Sequence, residues 1–288
     1  MIQTSKHLAY ILKIPAKELQ VIIDNIDKYY YKKVELKLHK DGTPKMKNGL
    51  QQKRVLYPSV NRLKIVQKRI LTNILSQITM PDYAYGAIKG RDNVQNAKKH
   101  QGKKFIFTTD LRSFYPSVSN RKVFEMFRIL NFSHTVSRLL TQLTTYKGQL
   151  PQGAPTSPAI ANLVFMKTGN ILQTFALKNQ LTFSSYIDDL TFSSPFNFKE
   201  KTGSIINAIL HDNFKISHDK TNYKTKNPVV TGLTVNNNSL SLPNSFKEKL
   251  QNLEGKSIEQ VNGLMLYANK VAKSNLRKYE KLNLIGKV

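Results

Sequence analysis

Apolar residues recur every three or four positions in five stretches of this chain, which is the spacing of helices with one buried face. The pattern predicts helices over residues 15–30 and 63–78, after Ser119, from Ser157 through Met166, and after Ser257. Ser119 is a typical N-cap residue, and Ser157-Pro158 suits an N-cap and first helical turn. Ser257 and Gln260 have the spacing of a capping box.

Other stretches have the spacing of strands. Residues 105–107 are apolar and open a predicted buried strand that runs to Asp110. Residues 181–194 alternate between apolar and polar and predict a hairpin. Residues 229–242 predict a second hairpin with asparagines 236–238 at its tip. Because strands and helices mix without a regular alternation, the sequence predicts an α+β fold.

Two adjacent aspartates, Asp188 and Asp189, stand at the turn of the first predicted hairpin. Aspartate is common in turns, which explains the doublet without any chemistry. Asp110 adds a second observation, since two strand ends side by side in one sheet would bring it next to Asp188. Two carboxylates about 4 Å apart repel by about 4 kcal/mol at an effective dielectric of about 20, which corresponds to about 3 pKa units.

A divalent cation removes this repulsion because it favours the ionised form of both carboxylates. Mg²⁺ prefers oxygen ligands and keeps positions for substrate phosphates, and two such ions about 4 Å apart catalyse phosphoryl transfer. The sequence therefore predicts nucleotidyl transfer at two Mg²⁺ ions held by Asp110, Asp188 and Asp189. Neighbouring strand residues face opposite sides, so we expect Asp188 to be the main ligand and Asp189 the secondary one.

The charge of the chain indicates its partner. It has 45 basic and 18 acidic residues and a formal net charge of +27. A field this positive attracts polyanions, with nucleic acid as the first candidate and a membrane surface as the second. The basic residues are spread along the chain, which favours a charged face or cleft over a basic tail.

The composition also excludes several kinds of site. The chain has no cysteine, which excludes disulfides and cysteine-ligated zinc, and its six histidines show no metal-ligand spacing. No apolar run approaches the roughly 18 residues of a spanning helix, and the N-terminus lacks the pattern of an export signal. We therefore expect a cytoplasmic protein with no membrane partner.

The candidate residues resemble the sequence boxes of retron-type reverse transcriptases. Tyr186-Ile187-Asp188-Asp189 is similar to the Y-x-D-D box, and Asp110 with Phe114 and Tyr115 is similar to the D-x-x-x-[FY]-[FY] box. Further matches, in the family's order, are Arg54 with Gln67 (fingers element), residues 150–158 (the box ending in Q-G-x-x-x-S-P) and Lys220-Thr221 (K-T element).

Two further elements resemble retron enzymes in particular. Residues 96–100 are similar to the N-A-x-x-H element, and Val230-Thr231-Gly232 is similar to the V-T-G element. The resemblance extends from about Arg54 to the C-terminal helix. One position departs from the pattern, because retron enzymes usually carry Ala where this chain has Ile187. That position lies near the primer end, which leaves open whether the larger side chain changes primer or nucleotide placement.

The resemblance implies a right-hand architecture of fingers, palm and thumb. It places fingers and palm in residues 1–236, with the fingers mainly in 1–104 and the palm mainly in 105–236, and an RNA-binding thumb in 237–288. The family reaction is DNA synthesis on an RNA template. Retron enzymes copy part of a cognate structured noncoding RNA from one of its ribose 2′-hydroxyl groups, and the product is a branched RNA–DNA molecule.

The resemblance also implies partners beyond the RNA and the dNTP substrates. Several retron enzymes act in defence against phage together with an effector protein. No RNase H segment follows the predicted thumb in this sequence, so we expect a host RNase H to remove the template.

Roles around the incoming nucleotide follow from the same resemblance. Tyr115 would exclude a 2′-hydroxyl by bulk, with an aromatic core residue as the alternative. Gln152 and Gly153 would line the nascent base pair. Arg54 would contact the triphosphate, or else is a solvated member of a basic run. Lys220 would protonate or neutralise the leaving pyrophosphate, or else is a surface lysine.

A third group of residues is implied in RNA binding. Asn96, His100 and Thr231 belong to elements that the family uses in RNA handling, although His100 alternatively fixes a loop through hydrogen bonds. The last helix would bind duplex RNA by shape and phosphate charge, or would expose its basic face while packing on the palm. Its candidate residues are Lys270, Lys273, Arg277 and Lys278.

Two alternative functions compete with this interpretation. One is another bacterial reverse transcriptase, from a group II intron or a diversity-generating element. The N-A-x-x-H and V-T-G matches, and the lack of a C-terminal endonuclease or maturase extension, argue against it. The other is a non-catalytic RNA-binding scaffold with a vestigial polymerase site. Such a scaffold would be expected to lose ligands, whereas all three aspartates are present.

Overall fold

The computed structural model describes residues 2–38 and 42–275 of an α+β protein. The α-helices are α1 (Ser5–Leu12), α2 (Ala16–Asp24), α3 (Asn61–Asn73), α4 (Asn93–Lys99), α5 (Phe114–Ser117), α6 (Asn120–Ile129), α7 (His134–Thr144), α8 (Ser157–Lys178), α9 (Thr202–His211), α10 (Asn244–Gln251) and α11 (Ile258–Asn275). Short 3₁₀ helices cover Ile26–Tyr29, Leu75–Gln77, Lys199–Lys201 and His218–Lys220.

The strands form small antiparallel sheets. They are β1 (Lys33–Leu36), β2 (Met46–Lys47), β3 (Leu50–Gln51), β4 (Lys53–Leu56), β5 (Phe105–Asp110), β6 (Thr182–Tyr186), β7 (Asp189–Ser194), β8 (Asn222–Lys224), β9 (Val229–Val230), β10 (Leu233–Val235) and β11 (Leu240–Ser241). β1 pairs with β4 and β2 with β3, a four-stranded sheet has the order β6-β7-β5-β8, and a three-stranded sheet has the order β11-β10-β9.

The chain forms two compact units, each assembled from separate stretches. Unit 1 consists of the chain up to Pro81, Leu111–Ile171 and Ile209–Lys215. Unit 2 consists of Asp82–Asp110, Leu172–Ala208 and the described residues from Ile216 to Asn275.

Unit 1 is mainly helical, and α1, α3 and α7 pack together through fully buried leucine, valine and isoleucine side chains. Gln67 of α3 is also fully buried and joins three segments of this core. Its Oε1 accepts a hydrogen bond from Ser59 Oγ (2.6 Å), and its Nε2 donates to Tyr30 Oη (2.7 Å) and to the carbonyl of Leu143 (2.9 Å). A buried amide with these partners stabilises one relative placement of the segments.

Unit 2 is built on the four-stranded sheet. Phe183 and Phe192 are directly opposite each other on β6 and β7, and their rings stack at a centroid distance of 4.6 Å. Phe107 of β5 lies opposite Phe192 on the next strand, at 6.3 Å. Side chains directly opposite in a sheet lie on the same face, so these rings form an aromatic row across it.

A second apolar cluster of unit 2 joins the three-stranded sheet to α4 and α11. Its buried members are Val94, Ala97, Ile106, Val230, Leu233, Val235, Leu240 and Val271. Val271 is a buried residue of α11, so the last described helix is held to unit 2 by apolar contact. The described helices include none with the length and apolar character that a bilayer span requires.

The predicted strands and the capping box are confirmed. The strand ending at Asp110 is β5, and the hairpin of residues 181–194 is β6 with β7. The second hairpin is β10 with β11, has the three asparagines at its turn, and gains β9 as a third strand. In the capping box, Gln260 N donates to Ser257 Oγ (3.4 Å) and Ser257 N donates to Gln260 Oε1 (3.1 Å).

Three predicted helices have different bounds in the structure. The helix predicted over 15–30 is α2, which ends at Asp24, with Asn25 as its C-cap residue. The helix predicted over 63–78 is α3, followed by a separate 3₁₀ turn. α8 continues to Lys178, well beyond the predicted end. Ser157 begins α8, but its hydroxyl donates to the carbonyl of Pro151 (2.6 Å).

His100 follows α4 and is fully buried against the face of the β6–β7 hairpin. Its Nδ1 forms a hydrogen bond with Ser193 Oγ of β7, and its Nε2 forms one with Ser184 Oγ of β6, both at 2.7 Å. We call this arrangement the serine–histidine bridge. Burial, and then the charges of Lys99 and Lys103, lower the pKa of His100 to about 3, so the ring is neutral at physiological pH.

We expect the serine–histidine bridge to make stability depend on pH. The unfolded chain binds a proton on His100 below its ordinary pKa of about 6.5, whereas the folded chain does so only near 3. This contribution to the free energy of unfolding is therefore complete above about pH 6.5 and falls by up to about 1.4 kcal/mol per pH unit below it. Denaturant unfolding at several pH values between 4 and 7 gives the free energy of unfolding as a function of pH. In His100→Gln this free energy should fall less steeply with decreasing pH than in the wild-type protein, whereas the exposed His7→Gln control should keep the wild-type pH dependence.

Candidate active site

Asp110 is the last residue of β5 and is buried, with 6% of its surface exposed. Both carboxylate oxygens have partners from the segment that precedes β8. Ser217 Oγ donates to Oδ1 (2.7 Å), and Lys220 Nζ lies 2.8 Å from Oδ2. The backbone is joined as well, since Ser217 N donates to the carbonyl of Asp110 (2.8 Å). These bonds orient a carboxylate that burial alone would disfavour.

The pairing of β5 with β7 brings the aspartates together. Asp110 is directly opposite Asp189, the first residue of β7, and Tyr186 pairs with Asp189 across the hairpin. Asp188 and Ile187 form the turn between β6 and β7, and Ile187 has a left-handed φ of 57°. The sequence predicted Asp188 as the neighbour of Asp110. In the structure Asp189 is the residue in register with Asp110, and Asp188 is the turn residue directly before it. The division of ligand roles within the doublet stays a prediction.

The proximity of the three carboxylates is visible in the acidity of Asp189. Desolvation, then repulsion by Asp188 and by Asp110, raises the pKa of Asp189 to about 7, while Lys220 opposes the rise. The residue as a whole is nevertheless exposed on the surface of unit 2. The repulsion between carboxylates that the sequence predicted is therefore present, and it contributes to the raised pKa of Asp189.

Lys220 supplies the positive charge nearest to this cluster. Burial disfavours its charged form, but the hydrogen bond to Asp110 and attraction by all three aspartates raise the pKa of Lys220 overall. Thr221, the next residue, forms a hydrogen bond with Thr109 of β5 through the two hydroxyls (2.8 Å) and donates to the carbonyl of Ser217 (2.9 Å). Lys220 is therefore held at Asp110 by its neighbours.

The donor set fits the chemistry of a divalent cation, because three carboxylates in one cluster repel each other and offer only oxygen ligands. Among the residues that the structure describes, however, no three His, Cys, Asp or Glu side chains converge in a ready-made metal geometry. Asp110 is engaged by Ser217 and Lys220 instead. The described residues therefore supply the negative charge and the oxygen ligands of a cation site, but their side chains are not arranged around a common point as metal ligands are.

The four residues predicted to bind the nucleotide belong to unit 1. Arg54 is exposed on β4, directly opposite Glu35 of β1. Gln152 and Gly153 lie in the loop before α8, and the carbonyl of Gln152 accepts a hydrogen bond from Tyr57 N (2.8 Å). Gly153 has a φ of 105°, and a Cβ there would lie 3.4 Å from Pro58. A residue with a side chain would be strained at this position, which explains the glycine.

Tyr115 is half-buried in α5, beside Phe114 at a centroid distance of 6.0 Å. Phe114 is buried and packs edge-on against Phe165 (6.0 Å) and against Phe214 (5.8 Å). The core aromatic residue of this pair is thus Phe114, and Tyr115 keeps part of its surface accessible.

The residues of the N-A-x-x-H and V-T-G elements contact each other inside unit 2. Asn96 is fully buried, and its Nδ2 donates to Thr231 Oγ1 (3.3 Å). Asn93 Nδ2 donates to the carbonyl of Thr231 (3.1 Å) and to Tyr267 Oη of α11 (2.6 Å). The side chains of Asn96 and His100 therefore do not reach the surface of the described structure, where RNA would bind. Their contacts are those of residues that hold α4, β9 and the hairpin together.

The basic residues of the C-terminal helix have different environments. Lys270 Nζ lies 2.7 Å from Asp92 Oδ2 at the N-terminus of α4, so this lysine is engaged in an ion pair. Burial opposes ionisation of Asp92, but the bonds from Lys270 and from Gln95 N lower the pKa of Asp92 overall. Lys273 is exposed. Arg277 and Lys278 lie outside the described residues.

Sequence reasoning missed Ser217 as the bonded partner of Asp110, and it missed the hydrogen bond between Thr109 and Thr221 beside this pair. The available signal was weak. Ser217 precedes Lys220 by one turn of the 3₁₀ helix, which places a hydroxyl and an ammonium on one short segment.

Comparison with known proteins identifies the family. The family model for reverse transcriptase (RNA-dependent DNA polymerase) matches residues 43–239. The chain is 36% identical over 152 residues to the retron Ec86 reverse transcriptase of Escherichia coli, covering 53% of this chain and 48% of that protein. It is 32% identical over 205 residues to the retron Se72 reverse transcriptase of Salmonella heidelberg (strain 579083-10), covering 71% and 52%.

The retron Mx65 reverse transcriptase of Myxococcus xanthus is 29% identical over 217 residues, covering 68% of this chain and 50% of that protein. This chain therefore belongs to the reverse transcriptase family, and the resemblance to retron-type enzymes is confirmed. The chain spans about half the length of these relatives.

We expect Ser217→Ala to destabilise the protein, because the buried Asp110 carboxylate loses a charge-assisted hydrogen bond. A bond of this kind contributes about 1.5–3 kcal/mol. Urea unfolding at pH 7 measures the loss, with Ser204→Ala on the exposed side of α9 as the matched control. Equal unfolding midpoints for Ser217→Ala and the control would show that this bond does not support Asp110.

Proposed function

We propose that the protein is a retron-type RNA-directed DNA polymerase, which joins deoxynucleotides along an RNA template. The observation that carries the proposal is the register pairing of Asp110 with Asp189 beside Asp188, in a chain of the reverse transcriptase family. The net charge of +27 supports a nucleic-acid partner. Relatives named retron reverse transcriptases favour the retron class over other bacterial reverse transcriptases.

In this proposal, Asp110, Asp188 and Asp189 bind two Mg²⁺ ions, with Asp188 as the main and Asp189 as the secondary ligand of the doublet. When bound, the ions supply positive charge for the transferred phosphoryl group and lower the pKa of the attacking hydroxyl. Ser217 keeps the Asp110 carboxylate oriented. Lys220, charged and 2.8 Å from Asp110, neutralises the negative cluster and is positioned to act on the leaving pyrophosphate.

The proposed nucleotide contacts are made by the residues of unit 1. Arg54 binds the triphosphate through its exposed guanidinium, whose planar fork suits phosphate oxygens. Tyr115 excludes a ribose 2′-hydroxyl by bulk. Gln152 and Gly153 line the nascent base pair, and the glycine there lets backbone approach closely.

The proposed RNA contacts lie on the C-terminal helix, through Lys273 and, beyond the described residues, Arg277 and Lys278. Lys270 contributes after release from Asp92, or supports the helix through that ion pair. We assign Asn96, His100 and Thr231 to RNA handling indirectly, because their side chains hold α4, β9 and the hairpin in place.

We extend the proposal to a fingers–palm–thumb organisation, with fingers mainly in 1–104, palm mainly in 105–236 and thumb in 237–288. The four-stranded antiparallel sheet that carries the aspartates supports the palm assignment. Priming from a 2′-hydroxyl of a cognate RNA, a branched RNA–DNA product, an antiphage role, an effector protein and a host RNase H belong to the same proposal. These rest on the resemblance to retron enzymes alone.

Asp188→Asn should abolish DNA synthesis on an RNA template, because a metal ligand is lost. Its affinity for RNA should stay within about twofold of the wild-type value, because the substitution leaves the fold intact. Primer extension and filter binding measure the two quantities. Asp219→Asn, at an exposed acid on the adjacent 3₁₀ helix, is the charge-matched control and should keep both. Full synthesis by Asp188→Asn would favour a non-polymerase role for this site, such as an RNA-binding scaffold.

Arg54→Ala should raise the KM for dNTP by about tenfold, the order expected when a charged contact worth about 1.4 kcal/mol is lost. Its neighbour on β4, Lys53→Ala, removes the same charge from the opposite side of the strand and should leave KM near the wild-type value. Steady-state kinetics with varied dNTP give both values. Equal KM changes in the two variants would assign Arg54 to the general basic field instead.

A further inference from the structure

A short segment, residues 83–86, lies beside β6 just before the Tyr186–Asp189 turn. Tyr85 N donates to the carbonyl of Ser185 (2.8 Å), and Ser185 N donates to the carbonyl of Tyr83 (2.8 Å). Ala84 pairs with Ser185 as a parallel bridge. We call residues 83–86 the docking segment, because these hydrogen bonds attach it to the edge of the sheet at the aspartate-bearing hairpin.

Gly86, the last residue of the docking segment, lies directly against the peptide that joins Tyr186 to Ile187. A Cβ at Gly86 would lie 2.5 Å from Ile187 Cγ1, 2.7 Å from Ile187 N and 3.0 Å from the carbonyl carbon of Tyr186. These separations are well below van der Waals contact, so a side chain at position 86 requires the turn or the docking segment to move. The glycine is needed here for close approach of two backbones.

Ile187 is in an unusual conformation at this contact. Its φ of 57° lies in the left-handed region, which β-branched residues rarely adopt. Such a conformation persists where surrounding contacts hold it, and the contact with Gly86 involves both the Ile187 backbone and its side chain. Asp188 and Asp189 follow immediately, so the backbone conformation of Ile187 determines the position and direction from which their side chains extend.

We propose that Gly86 is a positioning residue for the aspartate doublet. Its missing side chain lets the docking segment hold Ile187 in the left-handed conformation, and that conformation sets the placement of Asp188 and Asp189. The Ile187 side chain occupies the space that a side chain at position 86 would need, and we call Gly86 and Ile187 the fitted pair. The proposal rests on the proposed metal-binding role of the aspartates.

The test is a double-mutant cycle with Gly86→Ala and Ile187→Ala in the full chain. Gly86→Ala should lower the rate of RNA-templated DNA synthesis about tenfold or more and raise the Mg²⁺ concentration for half-maximal rate several-fold, because misplaced ligands bind the ions less well. Ile187→Ala removes the shortest contact, so the double variant should recover part of both changes. Gly203→Ala is the matched control, because Gly203 is exposed with no atom within 4 Å of an added Cβ.

The proposal is overturned if Gly86→Ala leaves the Mg²⁺ midpoint unchanged, or if it has the same effect in the wild-type chain and in the Ile187→Ala chain. If Gly86→Ala does not fold, the double variant is compared with Ile187→Ala. In the double variant the added Cβ at position 86 still lies 2.7 Å from the backbone nitrogen of residue 187 and 3.0 Å from the carbonyl carbon of Tyr186. The Mg²⁺ concentration for half-maximal rate should therefore be higher in the double variant than in Ile187→Ala, and equal values count against the proposal.

Melting temperatures of the same four chains separate this inference from the proposed function. If the wild-type protein makes no DNA, the polymerase proposal fails. The fitted pair still requires Gly86→Ala to lower the melting temperature more in the wild-type chain than in the Ile187→Ala chain. Equal reductions would show that the two residues do not act together, whatever the reaction.

Discussion

The antiparallel pairing of β5 with β7 is the interaction on which the candidate site depends. It places Asp110 opposite Asp189 although their charges repel. Two kinds of contact offset this repulsion. The aromatic row along the same strands stabilises the pairing, and the buried bond from Ser217 to Asp110 contributes about 1.5–3 kcal/mol. Lys220 is half-exposed and adds less, about 1 kcal/mol.

The parts of the fold that periodicity controls could be predicted from the sequence. The alternation along residues 181–194 and the apolar run before Asp110 gave β5, β6 and β7 correctly. The alternation does not reflect a solvent-facing side, because the small polar residues of β6 and β7 are buried as well. The carboxylate cluster followed from residue type at strand ends. The register that puts Asp189 directly opposite Asp110 could not be predicted, because periodicity does not determine at which residue a strand begins.

Contacts between distant polar residues could not be predicted in this way. Gln67 and His100 are polar, and a hydropathy pattern places such residues at the surface, yet both are fully buried with bonded partners far away in sequence. Gly86 is similar, because its requirement comes from the approach of another backbone and leaves no local signature.

The division of the chain into interleaved stretches has a consequence for its synthesis. Each unit combines stretches from both halves of the sequence, so neither can close around its core while only the first half has left the ribosome. Pairings between strands that are distant along the chain also form slowly, since loop closure must precede them. We therefore expect the nascent polypeptide to expose apolar surface until late in translation, the state in which incompletely folded chains aggregate most readily.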